Sequence, residues 1–294
     1  MSVVQHEKRL RSAILDLLSY FAVFELPLSA GQIYQYLPVK TTPVAVRVHL
    51  SKLIKRGKLQ AIDDRYGLRG VNYNKLQAFA ANQPRLLKKA KRWSRVFAAL
   101  PFVKSVVLVS SVAYGCPTED SDIDMVVVTS PNRIYLTKAY LYGLFHRFDI
   151  DSSKQKQNRL GISALFSTNG VKFERDVYGL DPQRLPWLLT AQPLYGAHTW
   201  YELLKNNSFV RQNAPNYSWP ESNVKLGYMS LSWLDKLDNY AYKRYLRKVS
   251  QNPMYREKRA FVRVRPDIIV INAHHGEYLQ AKQDRYDQIR AGAA

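Results

Sequence analysis

Cysteine is nearly absent: Cys116 stands alone in 294 residues, so no disulfide can close within the chain and its thiol reads as a spectator. Acids are scarce as well. The chain carries 23 Asp and Glu against 44 Lys and Arg, a formal net charge of +21, and none of the acids falls between Asp64 and Glu119. A positive field of that size concentrates polyanions, so it predicts a nucleic-acid partner and helps recruit a nucleoside triphosphate. No apolar run approaches the roughly 18 residues that a membrane helix needs, and the first residues, MSVVQHEKRLRS, lack a signal-peptide core. The expectation is a cytoplasmic protein with no membrane partner. Internal repeats are missing, and low complexity is confined to a short Ala/Gly tail. Disorder is excluded by a hydrophobic content of 46%, and the length suffices for two or three domains with a sizeable core.

What is present is organised around residues 105–129, SVVLVSSVAYGCPTEDSDIDMVVVT. The pattern predicts a buried strand at 106–109, a turn of small residues at 110–115, a polar loop, and a second strand opening with Asp122-Ile123-Asp124 and running through 125–128. Side chains on a strand alternate faces, which puts Asp122 and Asp124 on the same side a few ångströms apart. Two carboxylates that close repel one another, and a divalent cation between them resolves the conflict; Mg²⁺, or Mn²⁺ in its place, suits oxygen ligands that must also hold phosphates. The turn before them exposes backbone N–H groups to an anion, and a short helix starting at Ser111 would add a favourable dipole. Strand, phosphate-cradling turn and two acids on the neighbouring strand make a layout for phosphoryl or nucleotidyl transfer.

The run Ser110-Ser111-x-Ala113-x-Gly115 followed by Ser121-Asp122-Ile123-Asp124 resembles the signature of the DNA polymerase β-like nucleotidyltransferase superfamily. That signature reads Gly-Ser-x-Ala-x-Gly, a short spacer, then Ser-Asp-φ-Asp-φ, with φ apolar. The resemblance covers about twenty residues directly and extends by element order over 85–178. It implies a mixed sheet with flanking helices, an NTP substrate, Asp122 and Asp124 as catalytic metal ligands, and Ser110, Ser111, Gly115 and Ser121 around the nucleotide. The chain departs from the pattern twice. Ser110 stands where the family has glycine, and the later strand that should carry a third carboxylate offers Ser163 or Ala164. Asn169-Gly170 predicts a two-residue hairpin after that strand, and counting outward from it sets Asp176 across from Ser163, so Asp176 is the candidate third acid. Asp149 and Asp151 fall in a predicted loop.

Upstream, Ile14, Leu17, Leu18 and Phe21 mark one face of a helix. Ser29 and Gln32 form a capping box for a second helix, with Leu28 and Ile33 as its hydrophobic staple. Thr42 and Pro43 open a third, which buries Val46, Leu50, Leu53 and Ile54 and stops at Gly57. A hairpin over 58–70, turning at Asp63-Asp64, follows. Three helices and a hairpin resemble a winged helix-turn-helix, whose third helix would present Arg47, His49, Lys52, Lys55 and Arg56 to nucleic acid; the same fold also docks protein partners. Residues 71–84 read as a connector. A helix from Arg85 then pairs an apolar stripe with a basic face that includes Lys88 and Arg92, a second candidate track for phosphates.

Further on, helices are expected at 134–148, 181–189, 199–205, 226–249 and 277–290, and strands at 160–166 and 171–176. Residues 268–271 read as a short strand or buried turn, and His274-His275 as an ordinary loop. The fold class is therefore α/β (α+β), with a winged helix at 1–75, a nucleotidyltransferase domain at 85–200 and a helical C-terminal region at 201–294. The rival expectation is a protein that keeps this scaffold without chemistry and acts as a nucleic-acid-binding or regulatory module.

Overall fold

The computed structural model describes residues 2–147, 158–169, 185–220, 232–251, 262–271 and 276–293. The chain opens with helix α1 (Val3–Ala22), capped by a Ser2–Gln5 box. Strand β1 (Leu28–Ser29) leads into α2 (Ala30–Tyr36), where the Ser29–Gln32 capping box forms as the sequence predicts. Helix α3 (Pro43–Lys55) starts on the Thr42 side chain, which accepts the Ala45 N–H. Strands β2 (Leu59–Ile62) and β3 (Arg65–Leu68) then form the expected hairpin around Asp63-Asp64. β1 adds to it, for a small sheet ordered β1-β3-β2.

The connector expected at 71–84 is largely helix. Helix α4 (Leu76–Ala98) runs unbroken through Pro84. Proline removes one backbone bond inside a helix, but Pro84 lies on the exposed flank. Buried Phe79 on one side of it and Leu86, Ala90 and Phe97 on the other anchor both halves, so packing outweighs the local penalty.

The main sheet is assembled from β4 (Val103–Val109), β5 (Ile123–Thr129), β6 (Leu160–Ser167), β7 (Gln192–Tyr195), β8 (Val262–Arg265) and β9 (Ile268–Ile271), in the order β7-β4-β5-β6-β9-β8. β5 and β6 are parallel and the other neighbouring pairs antiparallel. The intervening helices are α5 (Ser110–Tyr114), α6 (Ile134–Arg147), α7 (Leu185–Leu189), α8 (Ala197–Lys205), α9 (Ser208–Asn213), α10 (Ser232–Gln251) and α11 (Gly276–Ala293). Gly196 lets β7 turn into α8 hard against β4: a Cβ there would lie 1.9 Å from the Lys104 carbonyl oxygen.

Period-two alternation divides the sheet's side chains between two cores. Val107, Val109, Val126, Val128, Phe166 and Ile268 face one cluster, which is continuous with Ile14, Phe21 and Leu50 of the N-terminal unit. Val106, Leu108, Met125, Val127, Leu165 and Ile269 face the other, against α4 and α6. The N-terminal helices thus share a core with the sheet.

The C-terminal region is not simply helical. β8 and β9 enter the main sheet, and β9 pairs antiparallel with β6 at Ala164–Val270, Leu165–Ile269 and Phe166–Ile268. The four residues of β8 give too little periodic signal to read as a strand, whereas the apolar run 268–271, read as a short strand or buried turn, is strand β9. The edge of β6 on which a 171–176 strand was expected is held at these positions by β9; residues 171–176 lie outside the described residues.

Candidate active site

The site forms where β4 ends and β5 begins. Val109 pairs with Asp124 across the two strands, so the turn at Ser110 is set beside that carboxylate. Ile123 is fully buried, whereas Asp122 and Asp124 on either side of it are only partly covered, with the Asp124 carboxyl the more deeply desolvated. The two acids are close enough for the charge of Asp122 to act on the ionisation of Asp124.

Each acid is held differently. The parallel register sets Leu160 beside Ile123 and brings Arg159 to Asp122. The Arg159 backbone N–H donates to Asp122 Oδ1 at 2.8 Å, and its guanidinium reaches Oδ2 from Nε and Nη2, both at 3.2 Å. Asp124 receives hydroxyls instead: Ser163 Oγ donates to its Oδ1 at 3.3 Å, and Ser110 bonds it from the turn. Burial pushes the Asp124 carboxyl above the usual carboxylate range, opposed by the Ser110 hydroxyl and reinforced by Asp122; the Ser163 hydroxyl and Lys282 of α11 also oppose it. Beside Asp124 the β6 backbone carries Gly161, where a Cβ would come within 3.6 Å of Oδ1.

Ser110 has φ of 62°, in the left-handed region where a side chain costs roughly 1–2 kcal/mol. The family that the motif resembles has glycine at this place, and the backbone here keeps the glycine-like conformation while carrying a hydroxyl. That hydroxyl also accepts from Trp187 Nε1 at 3.4 Å. Ser111 is half-buried at the start of α5. Gly115, φ 84°, ends α5 as its left-handed cap. Ser121 Oγ closes the preceding loop by accepting the Thr118 N–H at 2.8 Å.

Arg159, Trp187 and Lys282 were not singled out from the sequence, and Lys89 reads there only as one cation on the basic face of its helix. Lys89 donates to the Asn158 carbonyl at 2.8 Å, and burial holds its pKa down, helped by Arg85 and opposed by the nearby Asp122. These four come from α4, α7, α11 and the segment before β6, and it is tertiary packing that brings them to the acids and to Ser110. Asp176, Asp149, Asp151, His274 and His275 lie outside the described residues. Cys116 is buried and its thiol pushed up to about 12, which makes it inert at neutral pH.

Of the expected nucleic-acid contacts, Arg47, Lys52 and Lys55 are exposed on α3 and Arg56 at its C-cap, and Lys88 and Arg92 on α4. Lys52 pairs with Glu7 at 3.6 Å. His49 faces inward, with Nδ1 2.9 Å from the Ala45 carbonyl oxygen, and is no reader. A cavity of about 290 Å³ lies between the N-terminal unit and α5, lined by Phe21, Gln32, Tyr114, Gly115 and Gln192 among others; neither carboxylate lines it.

Among the described residues no three His, Cys, Asp or Glu side chains gather into a metal-binding group. The two carboxylates nonetheless fit a hard divalent cation by donor chemistry, because Mg²⁺ is commonly held by one or two carboxylates with phosphates and water completing its shell. No protein-family model, curated protein or solved structure matches the chain.

Proposed function

We propose that the chain is a nucleotidyltransferase of polymerase β-like fold with an N-terminal winged helix. In this reading it transfers a nucleoside monophosphate from an NTP to an acceptor hydroxyl, with pyrophosphate leaving. The observation that carries the reading is the pair Asp122 and Asp124, electrostatically coupled at the mouth of the sheet beside a turn that keeps the conformation of glycine. Asp122 and Asp124 would hold Mg²⁺ or Mn²⁺, which supplies charge neutralisation at the reacting phosphate. Ser110 and Ser163 hold Asp124 in place through their hydroxyls. Backbone amides at the turn and the Ser111 hydroxyl would receive the terminal phosphates. Arg159 and Lys89, both near Asp122, bring positive charge to the site and offset that of the triphosphate.

A thermal-shift titration with each NTP and Mg²⁺ tests this. Wild type should gain several degrees in Tm with the preferred NTP, and Asp124→Ala should gain none. Incubation with labelled NTPs should label an acceptor only with the intact pair, because losing a carboxylate of this kind costs several orders of magnitude in rate. Two observations favour a second reading, a scaffold without chemistry that binds nucleic acid or regulates. The Arg159 guanidinium neutralises Asp122, and Trp187 engages the hydroxyl at Ser110. Absence of any NTP-dependent shift, with nucleic-acid binding intact, would establish it.

A further inference from the structure

Helix α10 carries its charges unevenly. Its two acids turn inward: Asp235 pairs with buried Arg133, and buried Asp238 accepts the Leu136 N–H at 2.8 Å. Tyr242 and Tyr245 pack on Tyr135 from the same side, with ring centroids at 5.0 and 6.0 Å. At 3.6 residues per turn, the opposite arc of about 140° holds every one of Trp233, Lys236, Leu237, Tyr240, Lys243, Arg244, Arg247 and Lys248. All of them are exposed, with Trp233 at 62% and Tyr240 at 64% of full accessibility. The outward face therefore carries cations and flat or apolar groups, and no acid.

A second observation lies on α6. Lys138 sits with Nζ 4.6 Å from the centre of the Tyr245 ring, and no carboxylate pairs with it among the described residues. Burial first, then the charge of Lys248, pushes its pKa down to about 8. Two cations crowded together without a neutralising acid favour an anion between them.

We propose that the outward face of α10, with the adjoining edge of α6, binds single-stranded nucleic acid: bases stack on Trp233 and Tyr240 while the lysines and arginines track the phosphates. A stacking platform interleaved with cations is what an unpaired strand requires. A helix lying in a membrane surface segregates an apolar face from a polar one. Here the two kinds of side chain alternate on one arc, while the helix's other face is occupied by α6. The site uses none of the basic residues of α3 and α4, and it does not depend on the transfer reaction.

The experiment uses the full chain and fluorescence anisotropy of end-labelled twenty-nucleotide oligouridine and oligothymidine across a salt series. Trp233→Ala/Tyr240→Ala should weaken binding at least tenfold with the salt slope unchanged. Lys243→Gln/Arg247→Gln should reduce the slope by about 1.4, the value for two lost phosphate contacts on a single strand. Both pairs are exposed, and unchanged thermal melting checks that each variant folds. Replacing Arg47, Lys55 and Arg56 on α3 by Gln should leave this binding within twofold. The proposal is overturned if the aromatic pair can be removed without loss, if the α3 variant abolishes binding, or if the chain sediments with phosphatidylserine vesicles and ignores both oligonucleotides.

Discussion

Ionising Asp124 comes at a cost to the fold. Its pKa is raised in the folded state, chiefly by burial, so stability is fully present below the ordinary carboxylate value and declines as pH rises through the raised one. Asparagine can still bond Ser110 and Ser163 and carries no charge to desolvate. Asp124→Asn should therefore match wild type in Tm at acid pH and exceed it by a few degrees near neutrality, while losing transfer activity. Tm measured across a pH series decides this; a variant no more stable at neutral pH would mean that surrounding cations compensate the carboxylate fully. A residue retained against stability is the trade expected of a functional site. At this scale the sequence reveals the two acids and the odd serine, because their spacing is local. Arg159 and Trp187 could not be read, since Arg159 meets Asp122 through strand register across 37 positions and Trp187 meets Ser110 across 77.

Elements marked by caps and periodicity follow the sequence closely: α2 begins at its capping box, α3 at Thr42-Pro43. Where the signal is short or contradictory the fold departs from it, as in α4 through Pro84 and in the four-residue strands β7 and β8; the purely apolar run of β9 is legible as a strand or buried turn. Pro193 in β7 reads locally as a break. There it lies in a strand at the sheet edge, where a missing N–H is tolerated. The attachment of α10 shows what joins elements that local pattern leaves separate. The first N–H groups of a helix have no partner within it, and at the start of α6 Asp238 supplies one from α10, bonding Leu136 N–H and also Tyr135. Asp238→Ala would leave these donors buried without it. It should cost about 1–3 kcal/mol, read as a fall in Tm of several degrees. Asp238→Asn, which keeps an acceptor oxygen, should lose less. Equal melting of Asp238→Ala and wild type would show that the tyrosines and the Asp235–Arg133 pair hold α10 without it.

For the molecule as a whole, the decisive feature is that late segments complete early ones. β9 supplies Ile268 and Ile269, fully buried on opposite faces of the sheet. Burying one such side chain contributes about 1.5–3 kcal/mol, so the two together rival the lower end of the 5–15 kcal/mol that stabilises a typical domain. Helix α11 then returns to the beginning of the chain. Arg290 bonds Asp16 and Ser12, Arg285 pairs with Glu25 at 3.2 Å, and Lys282 lies 4.3 Å from the centre of the Phe24 ring. Lys282 also acts on Asp124, so the C-terminal helix contributes charge to the site as well as packing. Domain boundaries drawn from composition, with a separate helical region at 201–294, would predict that the chain folds without its C-terminal end. The shared core and the hairpin predict otherwise: the full chain should unfold in one calorimetric transition, and the chain ending at residue 251 should lose it, exposing β6 along an apolar edge and aggregating. A truncated chain with an intact transition and native near-ultraviolet circular dichroism would show instead that the hairpin and α11 are accessories to a core complete without them.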